Sequence, residues 1–123
     1  DRELTKKYFG KETAAFKKDI ERLKRGEPLD YVIGFTEFLG CKIDLSFRPL
    51  IPRAETQYWV EKTIAKIKEK FEGKNLRILD LFSGSGCIGI AVLKHLPGAQ
   101  IDFADISPNA ILQIQKNIIG CNR

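Results

Sequence analysis

Hydrophobic positions change period three times along this chain, and each change marks a different kind of element. Residues 1–25 carry a helical pattern that is broken near Gly10. In its second piece Phe16, Ile20 and Leu23 recur at three- and four-residue spacing among Lys, Asp and Glu, which predicts one apolar stripe. Gly26 ends that helix and Pro28 blocks its continuation. Between Tyr31 and Leu50 the helical period is lost. Phe35, Phe38, Leu39, Ile43, Leu45 and Phe47 fall among Gly34 and Gly40, a pattern that predicts short strands in a hairpin. A segment stiffened by Pro49 and Pro52 follows. The next helix is expected to be capped by Glu55 or Thr56, to bury Trp59, Val60, Ile64, Ile67 and Phe71, and to close at Gly73.

From Leu76 the texture becomes α/β. Leu76 to Phe82 reads as a buried strand, Gly84 to Gly89 as a glycine turn, and Ile90, Val92, Leu93 and Leu96 as a helix ended by Pro97-Gly98. Gln100 to Asp105 is a second strand. Ser107 is placed to cap a helix with Pro108 in its first turn and Ile111, Leu112, Ile114, Ile118 and Ile119 along it. Strand, helix, strand in this order implies parallel pairing through a right-handed crossover. Gly26 to Pro28 is the most natural linker, and no internal repeat or low-complexity tract interrupts the pattern.

At 123 residues, 43% hydrophobic and 30% charged, the composition is that of a globular domain, not a fibrous or disordered chain. The longest apolar runs, such as Ile88 to Leu93, are too short to span a bilayer, and no signal peptide is expected. The chain opens on Asp1, not Met, and is expected to be part of something longer. The net charge of +5 sits mainly before Asn75. Lys17, Lys18, Arg22, Lys24 and Arg25 could touch RNA or the ribosome, although such a run is more often a solvated helix face. Cys41, Cys87 and Cys121 are odd in number and lack metal-ligand spacing, which points to buried thiols in a reducing compartment, the cytoplasm. His95 reads as an exposed helix-end residue, and Tyr58 with Trp59 as core and rim.

The chemistry concentrates in Asp80-Leu81-Phe82-Ser83-Gly84-Ser85-Gly86-Cys87-Ile88-Gly89. Glycines after a strand let a nucleotide approach the backbone, and the helix that follows offers free N–H groups and the positive end of its dipole. Asp105 ends the next strand, 21 residues past Gly84, where a carboxylate can accept hydrogen bonds from both hydroxyls of a ribose. Two cofactors suit this geometry. The glycine spacing matches the dinucleotide pattern, yet Asp80 would repel a pyrophosphate. It suits S-adenosyl-L-methionine, which carries an ammonium, a sulfonium and ribose hydroxyls. A third reading gives the turn no ligand and makes it a site of close helix–strand packing only.

The same segment resembles motif one of class I methyltransferases, and the residues before it narrow the likeness. Glu27-Pro28-Leu29-Asp30-Tyr31-Val32-Ile33-Gly34, Glu37-Phe38-Leu39-Gly40 and Leu50-Ile51-Pro52-Arg53-Ala54-Glu55-Thr56 resemble HemK-type protein-(glutamine-N5) methyltransferases. That family methylates the glutamine of the Gly-Gly-Gln tripeptide of peptide chain release factors. The resemblance implies a partial Rossmann-like α/β fold preceded by a helical segment and a β-hairpin linker. Residues 1–26 would be the end of an N-terminal helical domain, 27–54 the hairpin linker and Ile-Pro-Arg loop, and 55–123 the first half of the S-adenosylmethionine-binding domain.

By the same resemblance Asp80, Phe82, Ser83, Gly84, Ser85 and Gly86 would line the methionine and ribose end of the cofactor. Asp105 would hold the ribose and Ile106 would flank the adenine. Arg53, Glu55 and Thr56 would wall the substrate pocket, unless that loop is only rigid packing with Arg53 paired to an acid. Phe82 stands where the family has glycine, and Ala54 where it commonly has proline. The family's catalytic Asn-Pro-Pro-Tyr does not occur here, so no catalytic residue is assigned and this chain alone is expected to be inactive. Its task is clear: an amide nitrogen is a poor nucleophile and must be aimed by acceptors for its two hydrogens. The rival functions are an amino-group methyltransferase acting on adenine in RNA or DNA, a non-catalytic module binding a release factor or the ribosome, and a dinucleotide oxidoreductase. An unpaired edge along Leu76 to Phe82 predicts self-association.

Overall fold

The computed structural model describes residues 13–72 and 74–121. The first helical piece expected before Gly10, and Gly73 as a helix stop, lie outside them. Helix α1 (Ala14–Lys24) starts where Thr13 Oγ1 accepts the Phe16 N–H at 3.2 Å, an N-cap that satisfies one orphan donor of the first turn. It ends at Arg25, and Gly26 turns the chain away.

The stretch from Tyr31 does not begin as a strand. Leu29–Ile33 forms a short helix, α2, because Pro28 presets the backbone at its start and Gly34, left-handed at φ 93°, stops it. The hairpin then follows as expected, with β1 (Phe35–Phe38) antiparallel to β2 (Cys41–Asp44) and Phe38 opposite Cys41. Phe38, Cys41, Ile43 and Leu45 point from it into the core.

Helix α3 (Ala54–Lys70) begins earlier than Glu55 or Thr56 could cap it. The proline-stiffened segment keeps the chain extended through Arg53, which is the N-cap residue and supplies no side-chain cap. Glu55 instead sits in the first turn, where a carboxylate complements the helix dipole. Of the five expected core residues, Val60 and Ile64 are buried, Ile67 and Phe71 are half-buried, and Trp59 is exposed.

The α/β unit has the expected order: β3 (Arg77–Leu81), α4 (Cys87–His95), β4 (Gln100–Ala104) and α5 (Pro108–Cys121). The strands pair in parallel, with Asp80 opposite Phe103 and Leu81 opposite Ala104. Ser107 caps α5, its Oγ accepting the Ala110 N–H at 3.4 Å. Helix α4 is apolar through Leu93 because it is packed on several sides: it contacts β2 and α3, with Ile90 and Ala91 in the shared core, and Gly89 meets β4. An added Cβ at Gly89 would lie 2.4 Å from the Phe103 ring, so only glycine permits this helix–strand spacing.

Strand β3 departs from the expectation of a buried strand. Ile78 and Asp80 face α4, while Leu79 and Leu81 on the opposite face are more than half exposed. The cause is that β3 pairs only with β4 among the described residues, and no described helix covers that face. No described helix is long and apolar enough to cross a membrane.

Candidate functional site

Both strands of the parallel pair end at the same level, and the loops leaving them are stitched together. Ser83 N–H donates to the Ala104 carbonyl at 3.1 Å, while Ser83 Oγ accepts the Ala104 N–H at 3.1 Å and donates to the Asp80 carbonyl at 2.7 Å. The Gly84 N–H donates to Asp105 Oδ2 at 2.8 Å. Gly86 takes a left-handed φ of 76°, with the Ile114 side chain 3.1 Å from where its Cβ would be, so a side chain there would be strained by the backbone and crowded by Ile114. Asp80, Ser83, Gly84, Ser85, Gly86 and Asp105 are therefore brought into one cluster.

The two acids of that cluster are in different electrostatic states. Asp105 is held below the usual carboxylate range by the N–H groups of Ser107 and Gly84, with a further one from Ile106, against a small burial cost. Asp80 is pushed up, first by burial and further by the charge of Asp105, against one bond from the Gly89 N–H at 2.9 Å. No Lys or Arg lies within ion-pair distance of either among the described residues. Two like charges share one turn without a cation between them, an arrangement that a positively charged ligand would relieve.

The remaining expected residues sit around this cluster. Phe82 is 87% exposed and has a positive φ of 56°, which explains why a glycine would be natural there. Ile106 is 97% exposed beside Asp105, a free apolar surface. Asp80 also lines a groove of about 400 Å³ with Trp59, Ile64, Leu79, Leu81 and Ile88. Arg53, Glu55 and Thr56 lie at the start of α3 and make no hydrogen bond or ion pair to the turn or to each other among the described residues. The alternative of an Arg53–acid pair is thus not what fixes that loop. Its fixed points are Tyr31, whose hydroxyl donates to the Pro49 carbonyl at 2.7 Å, and Arg48, which pairs with Glu27.

The exposed position expected of His95 is not what the structure shows. His95 is half-buried, with Nε2 2.8 Å from the Leu39 carbonyl, and is a tie between α4 and the hairpin. Arg22, one of the five basic residues of α1, is held by Asp19, Glu27 and the Tyr31 carbonyl, and Lys24 pairs with Glu21. Sequence reasoning missed Gln113 and Asn117, fully buried on α5 and bonded to the hairpin exit and to the Ser85 carbonyl. The available signal was two carboxamides four residues apart on an otherwise apolar helix face.

A family model described as lysine methyltransferase matches residues 53–123. The chain is 40% identical over 98 residues to the release factor glutamine methyltransferase of Flavobacterium psychrophilum, covering 80% of this chain and 34% of that protein. It is 37% identical over 117 residues to the protein of that name from Bacteroides thetaiotaomicron, covering 89% of this chain and 40% of that protein. A third, from Thermodesulfovibrio yellowstonii, is 42% identical over 98 residues, covering 80% and 35%. The chain spans about a third to two fifths of the length of the curated relatives it matches.

Proposed function

The chain belongs to the HemK-type class I methyltransferases, a family dependent on S-adenosylmethionine, and from that membership we propose that the glycine turn and its two acids are the cofactor half-site of an enzyme that methylates a glutamine of a peptide chain release factor. The observation that carries this reading is the buried Asp80, raised by burial and by Asp105, with no cation paired to it among the described residues. A ligand bearing positive charge and vicinal hydroxyls matches that site, and a pyrophosphate does not. Space is open beside Gly84, where the nearest atom to an added Cβ is the Phe82 carbonyl at 4.0 Å.

When bound, S-adenosylmethionine supplies a methyl group activated by a positive sulfur. The residues of this chain do the holding. Asp80 faces the cationic amino acid arm, and Asp105, already anchored through Gly84 and Ser107, has lone pairs left for ribose hydroxyls. Ile106 offers its exposed side chain to the adenine face. Ser83, Gly84, Ser85 and Gly86 bring backbone close to the ligand. Arg53, Glu55 and Thr56 wall the substrate side. Glutamine is favoured over the lysine of the family model's description because the relatives named for glutamine match across 80–89% of this chain, including the Ile51-Pro52-Arg53 loop region.

The test is a calorimetric titration of the chain with S-adenosylhomocysteine, with NADH and an Asp105→Ala variant as controls. Saturable binding of S-adenosylhomocysteine alone, weakened at least tenfold in the variant, is the expected result. Binding of NADH alone overturns the reading. The edge of β3 left unpaired among the described residues, with Leu79 and Leu81 exposed, further supports association between copies of this chain, read as an elution volume that falls with concentration.

A further inference from the structure

Helix α5 buries two carboxamides, Gln113 and Asn117, where an apolar side chain would cost less desolvation. Their bonds explain the choice. The Leu45 N–H donates to the Gly34 carbonyl on the β1 side, so the N–H and carbonyl of Asp44 point the other way, unpaired by the hairpin. Asn117 takes both: its Oδ1 accepts the Asp44 N–H at 2.8 Å and its Nδ2 donates to the Asp44 carbonyl at 3.1 Å. The second Nδ2 hydrogen goes to the Ser85 carbonyl in the glycine turn at 2.9 Å. One carboxamide thus bridges the hairpin exit and the turn.

Gln113 extends the bridge by one step. Its Oε1 accepts the Phe47 N–H at 2.9 Å, and its Nε2 donates to Asp44 Oδ1 at 3.0 Å. Phe47 is the root of the loop that runs through Pro49 and Pro52 to Arg53. At the other end the Ser85–Gly86 peptide is fixed on both sides, its carbonyl by Asn117 and its N–H by the Ser83 carbonyl at 2.7 Å.

We propose that Asn117 is a positioning residue that couples the glycine turn to the root of the Pro49–Arg53 loop, so that a ligand on the turn steadies the loop that walls the substrate side. The coupling runs through the three bonds of Asn117 to Ser85 and Asp44, continues from Asp44 to Phe47 through Gln113, and is reciprocal: whatever orders the loop strengthens binding at the turn. This rests on the reading of the turn as a cofactor site, but the mechanical link does not.

Amide hydrogen exchange tests it on the wild-type chain, Asn117→Asp and Gln113→Leu, each with and without S-adenosylhomocysteine. Asn117→Asp keeps the acceptor for the Asp44 N–H and loses the donor to the Asp44 and Ser85 carbonyls. Gln113→Leu touches only the hairpin exit. Without ligand, the Gly86 amide is expected to exchange at least tenfold faster in Asn117→Asp and at least threefold faster in Gln113→Leu, with α1 amides unchanged. With ligand, Phe47 exchange slows in the wild type and not in Asn117→Asp. Uniform acceleration across the chain, or a Gly86 amide indifferent to Gln113→Leu, overturns the coupling. A wild-type chain that binds no ligand overturns the cofactor reading alone, because the ligand-free comparison still decides the link.

Discussion

The Asp105 carboxylate accepts the Gly84 N–H at 2.8 Å, which joins the end of β4 to the turn after β3. Asp105 therefore has two tasks, shaping the turn and presenting acceptors to a ligand. Its removal would disturb both, so a second acid is needed to separate binding from folding. Asp80 separates them.

Ionisation of the buried Asp80 works against the fold. Its folded pKa is raised, so its contribution is most favourable below the unfolded value of 3.8 and is lost as pH rises through the folded value. Asp80→Asn keeps an oxygen for the Gly89 N–H and removes the buried charge. We expect the midpoint of thermal unfolding to hold or rise, while affinity for S-adenosylhomocysteine drops at least tenfold, or about 1.4 kcal/mol. A fall in thermal stability with affinity intact would show that Asp80 serves the fold and not a ligand.

Phe82 holds a left-handed φ of 56° with its side chain 87% exposed. That backbone costs a non-glycine residue about 1–2 kcal/mol, and glycine costs about 0.5–1 kcal/mol in unfolded-chain entropy. Phe82→Gly should leave stability equal or raise it by up to about 1 kcal/mol, measured by urea unfolding. A clear loss would mean the ring packs on something that its exposure does not reveal.

Gly89 gives the opposite sign. A methyl there meets the Phe103 ring at 2.4 and 2.7 Å and Ile101 at 3.0 Å. Overpacking of this kind costs about 1–3 kcal/mol, partly offset by alanine's helix propensity of about 1 kcal/mol over glycine. Gly89→Ala should destabilise the chain by up to about 2 kcal/mol on balance. Adding Phe103→Leu should recover part of the loss, and strictly additive costs would show that the two positions do not meet.

These sites differ in how much of them a sequence can show. The turn and its acids were legible because strand, glycines, helix and a strand-ending Asp105 form a local pattern whose spacing is set by the fold itself. Gly89 was legible as a glycine, but whether it served a phosphate or a close packing contact depended on Phe103, fourteen residues away. Leu79 and Leu81 read as core because an apolar run does not say which of its faces is covered. Gln113 and Asn117 were easy to overlook for the converse reason: polar residues on a helix read as surface until the hairpin that buries them is in place. Helix α3 was expected to start at a good capping residue, and the stiff chain up to Arg53 set its start instead.

Glu27 supplies the pH dependence. Arg22 binds it through Nε and Nη2 at 2.8 and 2.7 Å, and Arg48 reaches it at 2.7 Å, so one carboxylate ties α1 to the loop after the hairpin. Those hydrogen bonds, Arg22 first, lower its pKa from 4.5 to about 2. A depressed acid stabilises the fold above its unfolded pKa, and that contribution is lost as pH falls from 4.5 towards 2. Asp44 acts in the same direction: burial pushes it up, but bonds from Ser46, Gln113 and Lys116 outweigh that and hold it low. Acid unfolding should therefore be steep in this window. Glu27→Gln should be less stable than the wild type at pH 7 and should converge with it as pH approaches 2, because the wild type loses there what the variant never had. Arg48 is more than half exposed, so added salt should narrow the gap at pH 7. Parallel curves for the two proteins from pH 7 to pH 2 would show that Glu27 does not carry this dependence.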